Sequence, residues 1–336
     1  MSANSINVGV VGATGYTGLE LVKMLLKHPL FNLNYIANSE GGTTINALHP
    51  SLNGVCEDEV KKADIDAIAS SCDLVFLALP HKTAMAFVKP LLAKGVKVVD
   101  LSADYRLTKE VYEEFYTQHT DVENLSHVVY GLPEMFREEL KSAKLVANPG
   151  CFPTSALLAL LPFMDKRIEK TPIIIDAKTG VSGAGKKLSE TTHFVNVDEN
   201  LFAYNPLLHR HAPEIAQKLS VDFDEVNFVP HLVPLTRGML SSVYIQVEGD
   251  FDEQEILKEF YKDDKHVRVS QTPVEMKSVA GTNFCDIYVK RKGNLLFISS
   301  AIDNLMRGAS SQALVNANLM MGVDESMGVP DIAYVP

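Results

Sequence analysis

One stretch, VGVVGATGYTGLELV at residues 8–22, restricts the possible folds more than any other part of the chain. An apolar run passes through a glycine-rich turn and continues with apolar residues at helical spacing. Gly9, Gly12, Gly15 and Gly18 follow one another at three-residue intervals. Strand, glycine turn and helix in that order form the setting of a dinucleotide-binding loop. There Gly12 permits the tight turn, Gly15 lets the backbone approach a pyrophosphate, and Gly18 allows the helix to pack closely on the strand. The amides of the helix N-terminus then face the anion. The spacing is GxxGxxG from Gly12 rather than the commoner GxGxxG. Thr14, Tyr16 and Thr17 lie in the loop and join these glycines as candidate cofactor contacts.

The rest of the first half repeats the alternation. INVGVV (6–11), NLNYIAN (32–38), CDLVFLALP (72–80), GVKVVDLSAD (95–104) and AKLVANPG (143–150) read as strands. TGLELVKMLLKHP (17–29) reads as an amphipathic helix halted by Pro29, and TAMAFVKPLLAKG as a second helix. Continuous Val/Ile/Leu runs separated by helices predict a Rossmann-type, doubly wound parallel sheet covered on both faces. After residue 151 the strands lengthen and alternate: 171–180, 226–234, 239–249, 286–291 and 294–303, with helices near 212–220 and 252–262. That pattern predicts a second, α+β domain on a mixed, largely antiparallel sheet. The tail from 304 to 322 carries small and apolar residues at helical spacing and is expected to pack back on the first domain. The expected division is a nucleotide-binding domain, 1–150 with the tail at about 304–336, and a catalytic and oligomerisation domain, 151–303.

The end of the second strand bears on the cofactor. NAD-preferring folds carry Asp or Glu there for the ribose 2′-hydroxyl, whereas this strand ends in Asn38 and Ser39, followed by Glu40. Small neutral groups tolerate a 2′-phosphate that a carboxylate would repel, so NADPH is expected over NADH. Leu79 and Pro80, at the end of strand 72–80, are placed with the cofactor site. So are Ser182 and Gly183, in the glycine-rich loop GVSGAGKK (180–187). That loop approaches the phosphate-loop pattern but ends in Lys187, which offers no hydroxyl to a magnesium ion.

The candidate nucleophile is Cys151, in NPGCFPTS. Pro153 suits the first turn of a helix, which would seat the sulfur at a helix N-terminus, where the dipole and amides favour thiolate. The same amides could hold an oxyanion on an attacked carbonyl. A base could come from LLHRHAPEI (207–215), where His209 and His211 bracket Arg210 and Glu214 follows. HxH is also a zinc pattern, but no clustered cysteines or HExxH accompany it, and no metal is expected. The four cysteines (56, 72, 151, 285) are scattered, which argues against a disulfide framework and fits a reducing cytoplasm. The N-terminus shows no basic segment followed by a long apolar one, so the chain is expected to remain in the cytoplasm. A net charge of −11 disfavours nucleic acid, and no apolar run nears the roughly 20 residues of a membrane span.

A nicotinamide site with a cysteine nucleophile and an imidazole implies thiolate attack on an acyl group, followed by hydride transfer. GATGYTGLEL, FLALPH, DLSADYRL, YGLPE, NPGCFPTS, SGAGKK, HRHAPEI and AIDNLMRGA together resemble the N-acetyl-γ-glutamyl-phosphate reductase family, part of the semialdehyde dehydrogenase group. The resemblance runs end to end. It implies NADPH-dependent reduction of N-acetylglutamyl 5-phosphate to the 5-semialdehyde with release of phosphate, in arginine biosynthesis. It further implies Cys151 as nucleophile, His209 as base, Glu214 orienting the histidine or the substrate, and Asn304 supporting the nicotinamide amide. Aspartate-semialdehyde dehydrogenases carry a histidine where VPLTRGML has Met239, which counts against that enzyme. A carrier-dependent aminoadipyl-phosphate reductase would need a basic docking patch, for which KSAK (141–144) and KRIEK (166–170) are too sparse. In a third alternative, a nucleotide-binding regulator without turnover, Cys151 would be dispensable. The substrate's carboxylate and phosphoryl group call for cations. Arg106, Arg237, Arg210 and Lys178 are candidates, with His211 beside them. A homo-oligomer, dimer or tetramer, is expected through the second domain's sheet.

Overall fold

The computed structural model describes residues 5–334. It divides into two compact units, the first running to Pro149 and taking in Ala309–Val329, the second comprising Gly150–Gly308 and the segment from Pro330.

The first unit holds β1 (Ile6–Val11), β2 (Phe31–Asn38), β3 (Thr43–Thr44), β4 (Glu59–Lys62), β5 (Leu74–Leu77), β6 (Lys97–Asp100), β7 (Val129–Tyr130) and β8 (Leu145–Ala147). They form one sheet in the order β3-β4-β2-β1-β5-β6-β8-β7, parallel except for β3 at its edge. β5 is buried at every position, as expected of a strand covered on both faces. The first helix, Tyr16–Leu25, ends before Pro29 is reached. His28 turns inward there, and its Nδ1 accepts the amides of Leu30 and Phe31, so the chain leaves the helix through a local imidazole cap. The tail helix Ser311–Met320 is buried on all sides. Gln312 and Asn316 donate to the carbonyl of Gly131, and Asn318 to those of Glu325 and Met327, which gives each of the helix's buried side-chain amides an acceptor.

The second unit holds β9 (Ile173–Thr179), β10 (Phe202–Ala203), β11 (Val226–Leu232), β12 (Met239–Gln246), β13 (Val267–Val269), β14 (Cys285–Lys292) and β15 (Leu295–Ile302), in the order β10-β11-β9-β12-β15-β14-β13. Only β9/β11 and β13/β14 pair in parallel. β11 and β12 alternate buried with half-buried residues, so one face packs on helices. The helix Cys151–Leu160 crosses that face over β12 and β15, with Ala212–Leu219 beside it. The hydroxyl of Ser155 bonds those of Ser241 (2.8 Å) and Ser300 (2.6 Å), pinning the helix to both strands. No helix among the described residues is long and apolar enough to cross a membrane.

Candidate active site

Cys151 is the first residue of its helix, with Gly150 as N-cap, and the nine residues after it are buried. It is half-buried, while Cys56, Cys72 and Cys285 are buried. Burial pushes the Cys72 thiol up to about 11, which makes it inert. The helix thus presents Cys151 at its N-terminus, while the other three thiols are buried elsewhere.

Two contacts set its position. The buried carboxylate of Glu214 accepts the amide of Gly150 at 2.9 Å, so Glu214 ties the helix Ala212–Leu219 to the turn that carries the thiol. On the other side lies Gly308, inside a π-helical turn, Met306–Ser310. A Cβ built on Gly308 would stand 2.7 Å from the Cβ of Cys151. The glycine is therefore required by the nucleophile's own position, an assignment that residue type alone did not suggest. Gly308→Ala is expected to displace Cys151 and lower kcat by about 10²-fold, the cost of an ångström-scale misplacement. Steady-state kinetics together with the iodoacetamide alkylation rate check this; unchanged values of both would show that the turn yields instead.

His209 is enclosed by rings. Phe152, Phe228, Tyr204 and His211 lie with centroids 5.6, 5.3, 5.6 and 4.9 Å away, each in an edge-to-face arrangement. Burial, then the Arg210 charge, hold the imidazole down at about 4. Its Nδ1 accepts the backbone N–H of His211 at 3.1 Å, so a neutral ring carries its proton on Nε2. Burial, then the charge of Cys151, raise the Tyr204 phenol, which places Tyr204 in the electrostatic range of the sulfur. Phe152 adjoins Cys151 in the chain, so His209 and the thiol share both Phe152 and Tyr204 as neighbours.

Three further residues, far apart in sequence, meet. Asn304 Oδ1 accepts the amide of Gly238 at 2.7 Å, and Nδ2 donates to the hydroxyl of Ser182 at 3.0 Å. Gly183 lies against the same amide group, with room for a Cβ only at 3.7 Å from it. Arg237 pairs through Nε with Asp303 at 2.9 Å, and the Asp303 carboxylate also accepts the amides of Gly281, Leu305 and Met306. Lys178 pairs with Asp176 at 3.0 Å.

In the first unit, Gly12 has φ +97°, and a Cβ there would run into the carbonyl of Ala78. A Cβ on Gly18 would meet the Gly12 carbonyl, whereas one on Gly15 would find nothing nearer than 3.8 Å. Two glycines are thus needed by the turn itself, and the third leaves open space at the start of the helix, where the first-turn amides of Tyr16 and Thr17 lack intrahelical acceptors. This cradle fits a dinucleotide pyrophosphate. The carbonyl of Ala37 takes the amides of both Gly12 and Ala13. Asn38 Nδ2 reaches the Thr14 hydroxyl at 3.3 Å, and its Oδ1 caps the amides of Glu40 and Gly41. Ser39 is exposed in that turn, and beyond β5 Leu79 is half-buried and Pro80 exposed. His49 lies outside the glycine loop in sequence and has no local reason to be buried. Yet it is buried with Nε2 2.7 Å from the Ala13 carbonyl, across 36 residues of sequence. Arg106 is buried, and its Nε and Nη2 donate to the carbonyls of Asn148 (2.7 Å) and Leu101 (2.8 Å). Nearby, burial and the Asp104 charge push Asp100 up to about 7. Among the described residues no three His, Cys, Asp or Glu side chains converge as a metal site.

Residues 7–143 match the family model described as semialdehyde dehydrogenase, NAD binding domain, and 151–304 match semialdehyde dehydrogenase, dimerisation domain. The chain is 76% identical over 333 residues to an N-acetyl-gamma-glutamyl-phosphate reductase of Sulfurimonas denitrificans, covering 99% of this chain and all of that one. It is 44% identical over 344 residues to one of Methanocaldococcus jannaschii, covering 98% and 99%. Among solved structures it is similar to aspartate semialdehyde dehydrogenase II of Vibrio cholerae (TM-score 0.70, 17% identity, 95% of this chain and 99% of that one). It is likewise similar to the aspartate semialdehyde dehydrogenase of Candida albicans with NADP (TM-score 0.70, 14% identity, 95% and 99%). At these identities the structural likeness speaks for the fold.

Proposed function

The chain belongs to the N-acetyl-gamma-glutamyl-phosphate reductase family of semialdehyde dehydrogenases, and we infer that it reduces N-acetyl-L-glutamyl 5-phosphate to the 5-semialdehyde with release of phosphate. The observation that carries this reading is Cys151, the half-buried thiol at a helix start, in a chain 76% identical to such a reductase.

The Cys151 sulfur attacks the acyl carbon and phosphate departs, leaving a thioester. The thiol proton leaves with the phosphate. The amides of the first helical turn and the Nε2 proton of neutral His209 supply donors for the oxygen that becomes anionic in the tetrahedral adduct. Bound NADPH supplies the hydride that takes the acyl carbon to the aldehyde level. Collapse of the resulting thiohemiacetal anion frees the aldehyde and the thiolate, which one proton from solvent restores to thiol. Glu214 holds Gly150, and through it the angle at which the sulfur is presented.

We assign Gly12, Thr14, Gly15, Tyr16, Thr17, Gly18, Asn38, Ser39, Leu79 and Pro80 to the dinucleotide, and Ser182, Gly183 and Asn304 to its carboxamide end. Arg237 and His211 are assigned to the substrate, with Arg237 shared between substrate and Asp303. Arg106 bonds backbone carbonyls, which supports a part in shaping its loop beside the substrate role expected of it. The match to a dimerisation domain supports a homo-oligomer, and the biosynthetic reaction supports a cytoplasmic enzyme.

The test runs the reaction backwards, with N-acetylglutamate semialdehyde, phosphate and NADP⁺, following the near-ultraviolet absorbance of the reduced nicotinamide. Phosphate-dependent reduction is expected with this aldehyde and at most a trace with aspartate semialdehyde; the opposite ranking would refute the assignment.

A further inference from the structure

β4, between β2 and the short edge strand β3 of the first sheet, carries a cation that neither the glycine loop nor the catalytic groups account for. β4 pairs in parallel with β2, Ala37 opposite Lys61 and Asn38 opposite Lys62. Side chains alternate along a strand, and laterally paired residues share a face. The Lys61 ammonium confirms the phase, standing 5.2 Å over the ring of Tyr35, which lies on the face of Ala37. Lys62 accordingly lies on the face of Asn38, whose amide touches Thr14 in the glycine loop.

The position of Lys62 is built, not incidental. The Tyr35 hydroxyl donates to the Lys62 carbonyl at 3.0 Å, and the amide of Ala63 donates to the carbonyl of Asn38 at 2.9 Å. Gly41, at φ +72°, brings the turn after β2 down onto Lys62 so closely that a Cβ there would strike the Lys62 backbone nitrogen. The exposed ammonium-bearing side chain thus starts beside the strand end where dinucleotide folds read the ribose 2′ substituent. In place of an Asp or Glu, that end offers the Asn38 amide, the Ser39 hydroxyl and this lysine.

We propose that Lys62 receives the 2′-phosphate of NADPH and so sets the preference for NADPH over NADH. The assignment rests on the proposed function, because it presupposes a nicotinamide dinucleotide at the glycine loop. A lysine is suited to the task as a flexible point charge, and a charge-assisted bond to phosphate has the strength to discriminate.

The test is binding rather than turnover. The chain, Lys62→Gln and Lys61→Gln are titrated with NADPH, NADH, 2′,5′-ADP and 5′-AMP by fluorescence or calorimetry. Lys62→Gln is expected to weaken NADPH and 2′,5′-ADP by about ten-fold or more, while NADH and 5′-AMP are held as before, which also shows that the variant is folded. Lys61→Gln, which removes the same charge from the opposite face, should change the ratio far less. Equal effects of the two variants, or an unchanged affinity of Lys62→Gln for 2′,5′-ADP, would overturn the assignment and leave the reductase reading standing. If the unmodified chain binds neither dinucleotide, both fall together.

Discussion

Replacing Cys151 with serine is expected to lower turnover by about 10⁴-fold or more, with NADPH still bound at its normal affinity. The size of the loss follows from the surroundings. A serine hydroxyl needs a strong base to become a nucleophile, and the imidazole at hand, His209, is held at about 4. An oxygen ester would also resist hydride addition more than a thioester does. Nothing else in the local structure changes much, because the substitution swaps sulfur for oxygen on a half-buried residue that follows the Glu214-held Gly150 and faces Gly308. The measurements are steady-state turnover, the phosphate burst on mixing enzyme with acyl phosphate in the absence of NADPH, and dinucleotide affinity. The burst should vanish with the thiol. A serine variant that keeps even a tenth of the activity would remove the covalent route. Cys72→Ser, at the end of the helix before β5 and remote from Cys151 in sequence, is the matched control and should retain the burst.

The parts of the molecule that could be read from sequence were those in which a local pattern and the tertiary need coincide. β5 is a continuous apolar run, and β1 and β6 carry shorter ones, because these strands are buried on both faces, and Gly12 and Gly18 are glycines because a Cβ would collide with backbone. The PGC turn and the HRH segment stood out for a similar reason, since their chemistry sits in adjacent residues. What was not legible depends on partners distant in sequence. β4, EVKK, has one buried residue in four, because it lies near the sheet margin with only the two-residue β3 beyond it, and periodicity does not mark such a strand. Lys62 therefore had no visible relation to Asn38. His49 reads as an ordinary histidine until the fold brings it to the Ala13 carbonyl, and Gly308 as an ordinary small residue until Cys151 is found against it. Glu214 was legible as important but not in its contact, since an acid in a first helical turn announces no particular amide as its donor. A signal for Gly308 did exist: MRGASS joins a glycine to small residues directly after a strand and AspAsn pair, a composition that permits close approach. It does not say what approaches.

His209 is the residue for which structure and sequence lead to different proton assignments, and its replacement separates them. Read from the motif, it is a base that takes the thiol proton. In the structure its Nδ1 accepts the His211 amide, so the neutral ring holds its proton on Nε2, and taking a second proton would create a desolvated charge beside Arg210. Both features agree with a value near 4, depressed from 6.5. Its neutral form is present above about pH 5, and the fall in kcat/KM caused by its protonation moves below that point instead of lying near 6.5. A donor role predicts that His209→Ala lowers kcat by about 10²- to 10³-fold, as for loss of one oxyanion donor, with the KM for NADPH unaltered. It also predicts that His209→Gln, which offers an amide N–H where Nε2 stood, recovers at least about ten-fold of that loss. A base has no such substitute, since glutamine accepts no proton. If glutamine proves as poor as alanine, and the acid limb of the unmodified enzyme lies near 6.5 and disappears in both variants, then the contact with His211 must open during turnover and the imidazole is the base. The same pH series on iodoacetamide alkylation, which needs only the thiolate, separates a His209 effect on the sulfur from one on the acyl oxygen. A donor leaves the alkylation profile of His209→Ala close to that of the parent, while a base that deprotonates Cys151 shifts it.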